Sequence, residues 1–232
     1  MVAIWRNRNA VVFEGQSPSL VFCKGIIRKY ISHAAVLSSG SAFQNQQDQE
    51  TLQSLGIPAK FGKAPKVKKC IWLPPEMGQV KGNVDGASAG NPGPAGIGVS
   101  FRDHNGEFLA VRAKGIGIEN NYWAESLAIV EAMEFSLQQG WLHLWLESDC
   151  SPTVYSFNVG AIPWKLVARF KKAKRQFQSF TITHLWREGN IAADLAAKHG
   201  STLAENETVT VFGKPDWITS WEVPFKIYYR FD

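Results

Sequence analysis

The sequence predicts an α/β domain with a five-stranded mixed sheet, an antiparallel meander of three strands followed by parallel ones, and helices on both faces. Two patterns predict it. Residues 79–86, 95–102 and 107–115 form three apolar runs separated by turn-forming residues. Downstream, helical and strand periods alternate: 121–139, 143–147, a short helix opened by Ser151 and Pro152, 163–177, 180–186 and 191–199. A meander followed by αβ units gives a sheet of mixed direction.

In chain order, residues 1–14 place Ile4, Trp5, Val11, Val12 and Phe13 at helical spacing. Residues 15–77 read as a basic and polar linker, largely disordered, with a transient helix or two. Ile26–Leu37 suits a short helix, Gln44–Leu55 is Gln-rich, and Pro58–Pro75 is studded with Pro and Lys. From Gly78 the pattern sharpens. Asp103-His104-Asn105-Gly106 supplies the Asn-Gly pair of a tight hairpin between the second and third strands. The 121–139 helix carries Ala124, Leu127, Ala128, Val130, Ala132 and Phe135 on its apolar side, and Gly140 ends it. The 163–177 helix is basic, and the 191–199 helix is stopped by Gly200. Residues 201–232 read as an irregular tail whose Pro215, Trp217, Trp221, Pro224 and Phe225 pack back on the domain.

Composition narrows the function classes. The apolar fraction of 45% and nine tryptophans suit a packed core. No run of about 18 apolar residues occurs, so no membrane-spanning helix is predicted, and the N-terminus lacks the pattern of a secretory signal. Cys23, Cys70 and Cys150 have neither disulfide-framework nor zinc-site spacing, which predicts an intracellular, reducing compartment, nucleus or cytoplasm. The net charge of +5 sits mainly in the first 80 residues. Such a leader suits either a solvated linker or an anionic partner such as nucleic acid.

The candidate chemistry lies in four carboxylates. Asp85 ends the first strand before Gly86, Glu125 sits one turn into the long helix, Asp149 follows the fourth strand, and Asp194 opens the last helix. Like charges brought together repel by roughly 4 kcal/mol at ~4 Å and an effective dielectric of about 20. They persist by holding protons or by binding cations. Oxygen ligands favour Mg²⁺ or Mn²⁺, and a pair of such ions suits phosphoryl displacement. Any one of these acids alone reads equally as a turn or helix-start residue.

VDGASAGNPGPAGIG, NNYWAES, LWLESD and ITHLWREGNIAADLAA, in this order, resemble the blocks of type 1 ribonuclease H. More narrowly, they are similar to the ribonuclease H domains of plant LINE-type (non-LTR retrotransposon) reverse transcriptases and their stand-alone or truncated relatives, over about 78–200. WRNRNAVVFEG resembles the end of the reverse-transcriptase zinc-binding segment, without its zinc ligands. The resemblance implies a ribonuclease H-like fold and endonucleolytic hydrolysis of the RNA strand of RNA–DNA hybrids. It assigns Asp85, Glu125, Asp149 and Asp194 as ligands of two Mg²⁺ (or Mn²⁺) ions, and His184 as the histidine that assists proton movement and product release. Asn91 and Asn121 would contact the hybrid backbone and the RNA 2′-hydroxyl. Asn91 before Pro92 is equally a good turn residue. Ser151 stands where bacterial homologues place a glutamine, and their extended basic protrusion is absent, so weaker and more salt-sensitive binding is expected. The partner expected is nucleic acid, with no membrane and a monomeric chain. The alternative is a catalytically inactive nucleic-acid-binding relic or domesticated retrotransposon domain.

Overall fold

The computed structural model describes residues 2–38, 45–60 and 66–231. The chain divides into two compact units, 1–65 and 66–232.

In the first unit, α1 (Val2–Glu14) and α2 (Leu20–Leu37) pack through the small residues Ala3, Ala10 and Cys23. Ser19 caps α2 by accepting the Phe22 N–H at 3.1 Å. The Lys60 ammonium closes the other end on the carbonyls of Ala35, Val36 and Ser38 at 3.2–3.3 Å. A polar helix, α3 (Gln46–Ser54), is capped by Asn45. The stretch expected to be mostly linker therefore holds two helices, because caps and Cys23 burial give α2 what its periodicity alone does not. Gln44 and residues 61–65 of the Pro- and Lys-studded run lie outside the described residues.

The second unit is built on a sheet of six strands in the order β6-β5-β2-β3-β4-β7. The meander is β2 (Val80–Ser88), β3 (Gly93–Arg102) and β4 (Phe108–Glu119). β5 (His143–Ser148) and β6 (Ser179–His184) lie parallel to β2 on its other side. The expected five strands are all present. The sixth, β7 (Thr208–Phe212), pairs antiparallel with β4. Its TVTVF sequence alternates β-branched residues, but it sits in a stretch read as irregular. A separate ribbon joins β1 (Val67–Ile71) to β8 (Ile227–Phe231), so a strand stands where linker was expected and another where tail was expected.

Helix α4 (Asn121–Gln138) lies on one face with α5 (Ser151–Val159) and α6 (Trp164–Lys174). α7 (Ile191–Gly200) covers the other. Its approach depends on missing side chains. A Cβ at Gly98 would lie 2.1 Å from the Ala197 nitrogen, so only glycine lets the helix backbone rest on β3. Gly200 is the last residue of α7 rather than a stop beyond it. The tail does pack back: Ile218 is buried against α7, and Trp217 stacks on His199 at 4.6 Å. Phe225 stays exposed, and Trp221 is about a third exposed while meeting Phe108 edge to face at 6.4 Å. The main core lies under α4, with Val84, Ile97, Phe101, Ile129, Met133, Leu144 and Leu146 all at most 2% exposed.

Buried ion pairs tie these layers together. Lys81 on β2 meets Glu147 on β5 at 2.7 Å, with its ammonium 4.5 Å from the Trp72 ring centroid and 3.9 Å from that of Trp145. Arg102 pairs with Glu222 of the tail, and Glu222 also accepts the Ala192 N–H at 2.9 Å in the first turn of α7.

Candidate active site

Three elements converge at one end of the sheet. Asp85 lies near the end of β2, Asp149 immediately follows β5, and these strands are parallel neighbours. Glu125 comes from the first turns of α4. What brings it close is Gly86: a Cβ there would lie 2.2 Å from the Glu125 nitrogen and 2.4 Å from the Ala124 carbonyl carbon. One carboxylate oxygen from each of Asp85, Glu125 and Asp149 lies within 4.8 Å of the other two.

These groups form the floor of a cleft of about 710 Å³. Burial pushes the Asp85 carboxyl well above its ordinary range, with Glu125, Asp149 and Asp194 adding to the rise and Arg187 opposing it. Burial likewise raises Glu125 strongly, with Cys150 and Asp149 contributing and the Gly86 N–H working against them. Asp149 is raised by burial, in part offset by Arg187.

Asp194 stands apart from that trio. It lines the same cleft, but its carboxylate is held by Lys198 at 2.6 Å and Arg187 at 3.2 Å. His184, Asn121 and Ser151 also line the cleft. Asn91 does not, and instead its Oδ1 accepts the Asn121 N–H at 3.1 Å, tying the glycine-rich loop to the start of α4. Of the eight residues singled out in the sequence, seven therefore share one cleft and the eighth braces it.

Sequence reasoning had no signal for several others. Trp186, Arg187 and Arg230 line the cleft, and the His184 and Trp186 rings meet edge to face at 4.9 Å. Behind the floor, Trp72 Nε1 donates to Asn83 at 2.8 Å, and Asn83 donates to Asn190 at 3.2 Å. Asn190 in turn donates to the Val84 carbonyl at 3.0 Å. This fully buried chain fixes the residue before Asp85 against the residue before α7.

A family model described as reverse transcriptase-like matches residues 83–200, slightly more than half of the chain. The chain belongs to that family. Ribonuclease HI of the archaeon Halobacterium salinarum is 31% identical over 144 residues, 59% of this chain and 71% of that protein. A protein of Arabidopsis thaliana named as a ribonuclease H protein is 30% identical over 145 residues, 60% of this chain. The matched stretch spans only 23% of that longer plant protein. The crystal structure of ribonuclease H1 from Halobacterium salinarum superposes with a TM-score of 0.50 at 30% identity, over 54% of this chain and 99% of that one. The second unit thus has the ribonuclease H fold. All four carboxylates fall within residues 83–200 of the family match, whereas β1, β7 and β8 lie beyond its limits.

The residues fit a divalent metal by their own chemistry. All donors in the trio are carboxylate oxygens, the set preferred by Mg²⁺ and Mn²⁺. Glu125 Oε2 is buried and accepts no hydrogen bond. A buried, unpartnered carboxylate oxygen among two other carboxylates is costly unless a proton or cation meets it.

Proposed function

We propose that the chain is a metal-dependent endonuclease that hydrolyses the RNA strand of RNA–DNA hybrids. The observation that carries this reading is the trio Asp85, Glu125 and Asp149 on the floor of an open cleft, with an orphaned Glu125 oxygen among them. The ribonuclease HI name of the Halobacterium relative agrees with it.

In this reading Asp85, Glu125, Asp149 and Asp194 would hold two Mg²⁺ ions (Mn²⁺ substituting), with Asp85 and Asp149 as shared ligands, Glu125 serving near the 2′-hydroxyl of the substrate and Asp194 near the attacking water. When bound, the metal supplies Lewis acidity to the scissile phosphate and lowers the pKa of water at neutral pH. The protein's share is placement. Gly86 sets Glu125 against β2, and the Asn190 hydrogen bonds set the strand end that carries Asp85. Asn121 and Ser151 face the minor-groove side of the substrate, where the 2′-hydroxyl distinguishes RNA from DNA. Asn91 holds Asn121 in position. His184, steadied by Trp186, moves protons at the rim and helps product leave. No residue need form a covalent bond to substrate. The partner is nucleic acid, the chain acts as a monomer, and it works in a reducing intracellular compartment. No helix among the described residues is long and apolar enough to cross a membrane.

A second reading has one observation in its favour. Asp194 is already paired with Lys198 and Arg187, as suits a domain that binds hybrid without turning it over. Cleavage of an end-labelled RNA–DNA hybrid in Mg²⁺ decides between them. The nuclease reading expects cleavage that vanishes with chelator and in Asp85→Asn. Hybrid binding without cleavage by the unsubstituted chain supports the second reading, and equal cutting of duplex DNA would sink the hybrid assignment.

A further inference from the structure

Helix α7 begins without a side-chain cap of its own. The side chain of Asn190, the residue before it, is spent elsewhere: it donates to the Val84 carbonyl and accepts from Asn83. The first turn of a helix leaves its N–H groups without intrahelical partners, and buried ones need an acceptor from outside. Ala192 is fully buried, and its N–H donates to Glu222 Oε1 at 2.9 Å, thirty residues along the chain. Asp194 stands in the same first turn.

Glu222 is itself held from the sheet. Its Oε2 pairs with Arg102 of β3, and Arg102 Nη1 donates to the Glu222 carbonyl at 2.6 Å. The Arg102 guanidinium carbon lies 4.6 Å from the Trp72 ring centroid and 4.2 Å from that of Phe108, and packing on both rings fixes the planar fork. A bidentate ion pair would spend both Glu222 oxygens on Arg102. Here one is given to the helix, where a carboxylate also suits the positive end of the helix dipole. The same tail segment follows α7 along its length: Ile218 packs with Ala192 and Ala196, and Trp217 stacks on His199. The family match ends at 200, so all of these tail residues lie beyond it. We propose that Glu222 is a positioning residue: clamped by Arg102, it caps α7 from the tail and so sets the place of Asp194 in the cleft shared with Asp85, Glu125 and Asp149. The inference rests on the reading of Asp194 as a metal ligand. Lys198 and Arg187 hold the Asp194 carboxylate itself, whereas Glu222 holds the turn of backbone that carries it.

The test compares two full-length chains that differ in one acceptor. Arg102→Met removes the buried cation in both, since a buried ion pair exchanged for well-packed uncharged groups often keeps its fold. Position 222 then carries either Glu222→Gln, whose amide oxygen can still accept the Ala192 N–H, or Glu222→Leu, which cannot. Binding of Mn²⁺ alone, read by titration calorimetry, should be weaker in the Leu pair than in the Gln pair by about 10-fold, the lower end of what groups behind a metal ligand contribute. The Mg²⁺ concentration at half-maximal hybrid cleavage should rise by a similar factor, with KM for hybrid little changed. Amide exchange should quicken at Ala192 and keep its rate within α4. Lost stability alone would lower the melting temperature and leave the metal affinity of the folded chain where it was. Glu222→Asp, in the unsubstituted background, keeps a charge for Arg102 and draws the acceptor back by one methylene. It should weaken Mn²⁺ binding in the same direction, and it decides the matter if the Leu pair does not fold. Equal Mn²⁺ affinities in the two pairs, or an unshifted Glu222→Asp where the Leu pair does not fold, overturn the positioning role. If the affinities part as expected but the unsubstituted chain never cleaves hybrid, Glu222 keeps its role and the nuclease reading falls. If that chain cleaves hybrid and the affinities do not part, the nuclease reading stands without Glu222.

Discussion

Helix α4 carries two buried glutamates six residues apart, and they live in opposite electrostatic worlds. Glu125 is 4% exposed and faces Asp85 and Asp149. Glu131 is 8% exposed and sits among Arg169 at 2.8 Å, Lys114 at 3.0 Å and Arg112 at 3.7 Å. Burial pushes both carboxyls up. At Glu125 Cys150 and Asp149 push further in that direction and outweigh the hydrogen bonds of Gly86 and Asp85, whereas at Glu131 the hydrogen bonds from Arg169 and Lys114 reverse it and leave the carboxyl below its ordinary value. Burial of an acid is thus no mark of function. The mark is burial without a cation, because only then does the fold leave a charge for something else to neutralise.

Asp85→Asn should give the largest effect on the functional side of this contrast. It removes one ligand and half of a repulsion at once. Hybrid cleavage should fall by more than about 10³-fold, roughly 4 kcal/mol of barrier. In chelator, the same variant should melt higher than the unsubstituted chain, by ~2–4 °C for each kcal/mol of repulsion relieved. A variant that loses activity and also melts lower without metal would show that Asp85 serves stability, contrary to the contrast.

Gly86→Ala sharpens the comparison by geometry alone. The new methyl meets the Glu125 nitrogen and the Ala124 carbonyl carbon, so α4 must shift where it carries Glu125. A misplacement of about 1 Å is enough to cost about 10²-fold in rate. Activity should fall by that order and the metal requirement should rise, read from the Mg²⁺ concentration at half-maximal cleavage. Unaltered metal dependence would mean that the helix start yields without moving Glu125.

Glu131→Gln addresses the structural side. Removing the acid leaves Arg169 and Lys114 facing each other across a partly buried space. Arg169 is about a third exposed and keeps Glu134 at 2.5 Å, so solvent and that second acid absorb part of the cost. A loss of about 1–3 kcal/mol is expected from equilibrium urea unfolding, below the 3–5 kcal/mol of a fully buried pair. Cleavage well below the melting range should stay within about twofold.

The same contrast explains which parts of the molecule are legible in its sequence. The meander, α4 and the four carboxylates are local signals: an alternating run, a 3.6-residue period, an acid at the end of each element. Residues 79–86 and 121–139 therefore fall within a residue or two of β2 and α4. The β1–β8 ribbon is different. VKKCI shows no apolar alternation, and its partner lies about 160 residues away. A strand whose stability comes from a distant partner leaves little trace in its own composition. Lys81, Arg102, Glu147 and Glu222 were illegible for a related reason. Charged side chains read as solvent-facing, and their burial becomes intelligible only once Trp72 and Trp145 are seen around Lys81, or Glu222 beneath α7. In the site, the acids were visible by type, whereas Trp186 and Arg230 become site residues only through long-range packing.

The smallest effect is the dependence on pH, and it carries the contrast in its sign. The Glu131 carboxyl is depressed in the folded state, so its ion pairs contribute full stability above the unfolded value near 4.5 and lose it as pH falls through the lower folded value. The stability gap between the unsubstituted chain and Glu131→Gln should therefore close on acidification below about pH 4.5. Asp85 is raised in the folded state, so the metal-free fold holds that proton more tightly than the unfolded chain does. Its ionisation then costs stability, and the cost grows as pH rises from the unfolded value towards the folded one. In chelator, the advantage of Asp85→Asn should open upward from about pH 4. Mg²⁺ should cancel it, because the metal competes with the proton for the same oxygens. Unfolding curves for the three proteins from about pH 3 to 8, with chelator and with Mg²⁺, measure both gaps. If the two gaps respond to pH identically, or if Mg²⁺ leaves the Asp85→Asn gap unchanged, the three acids form no cation site, and the distinction between the two glutamates of α4 is one of burial alone.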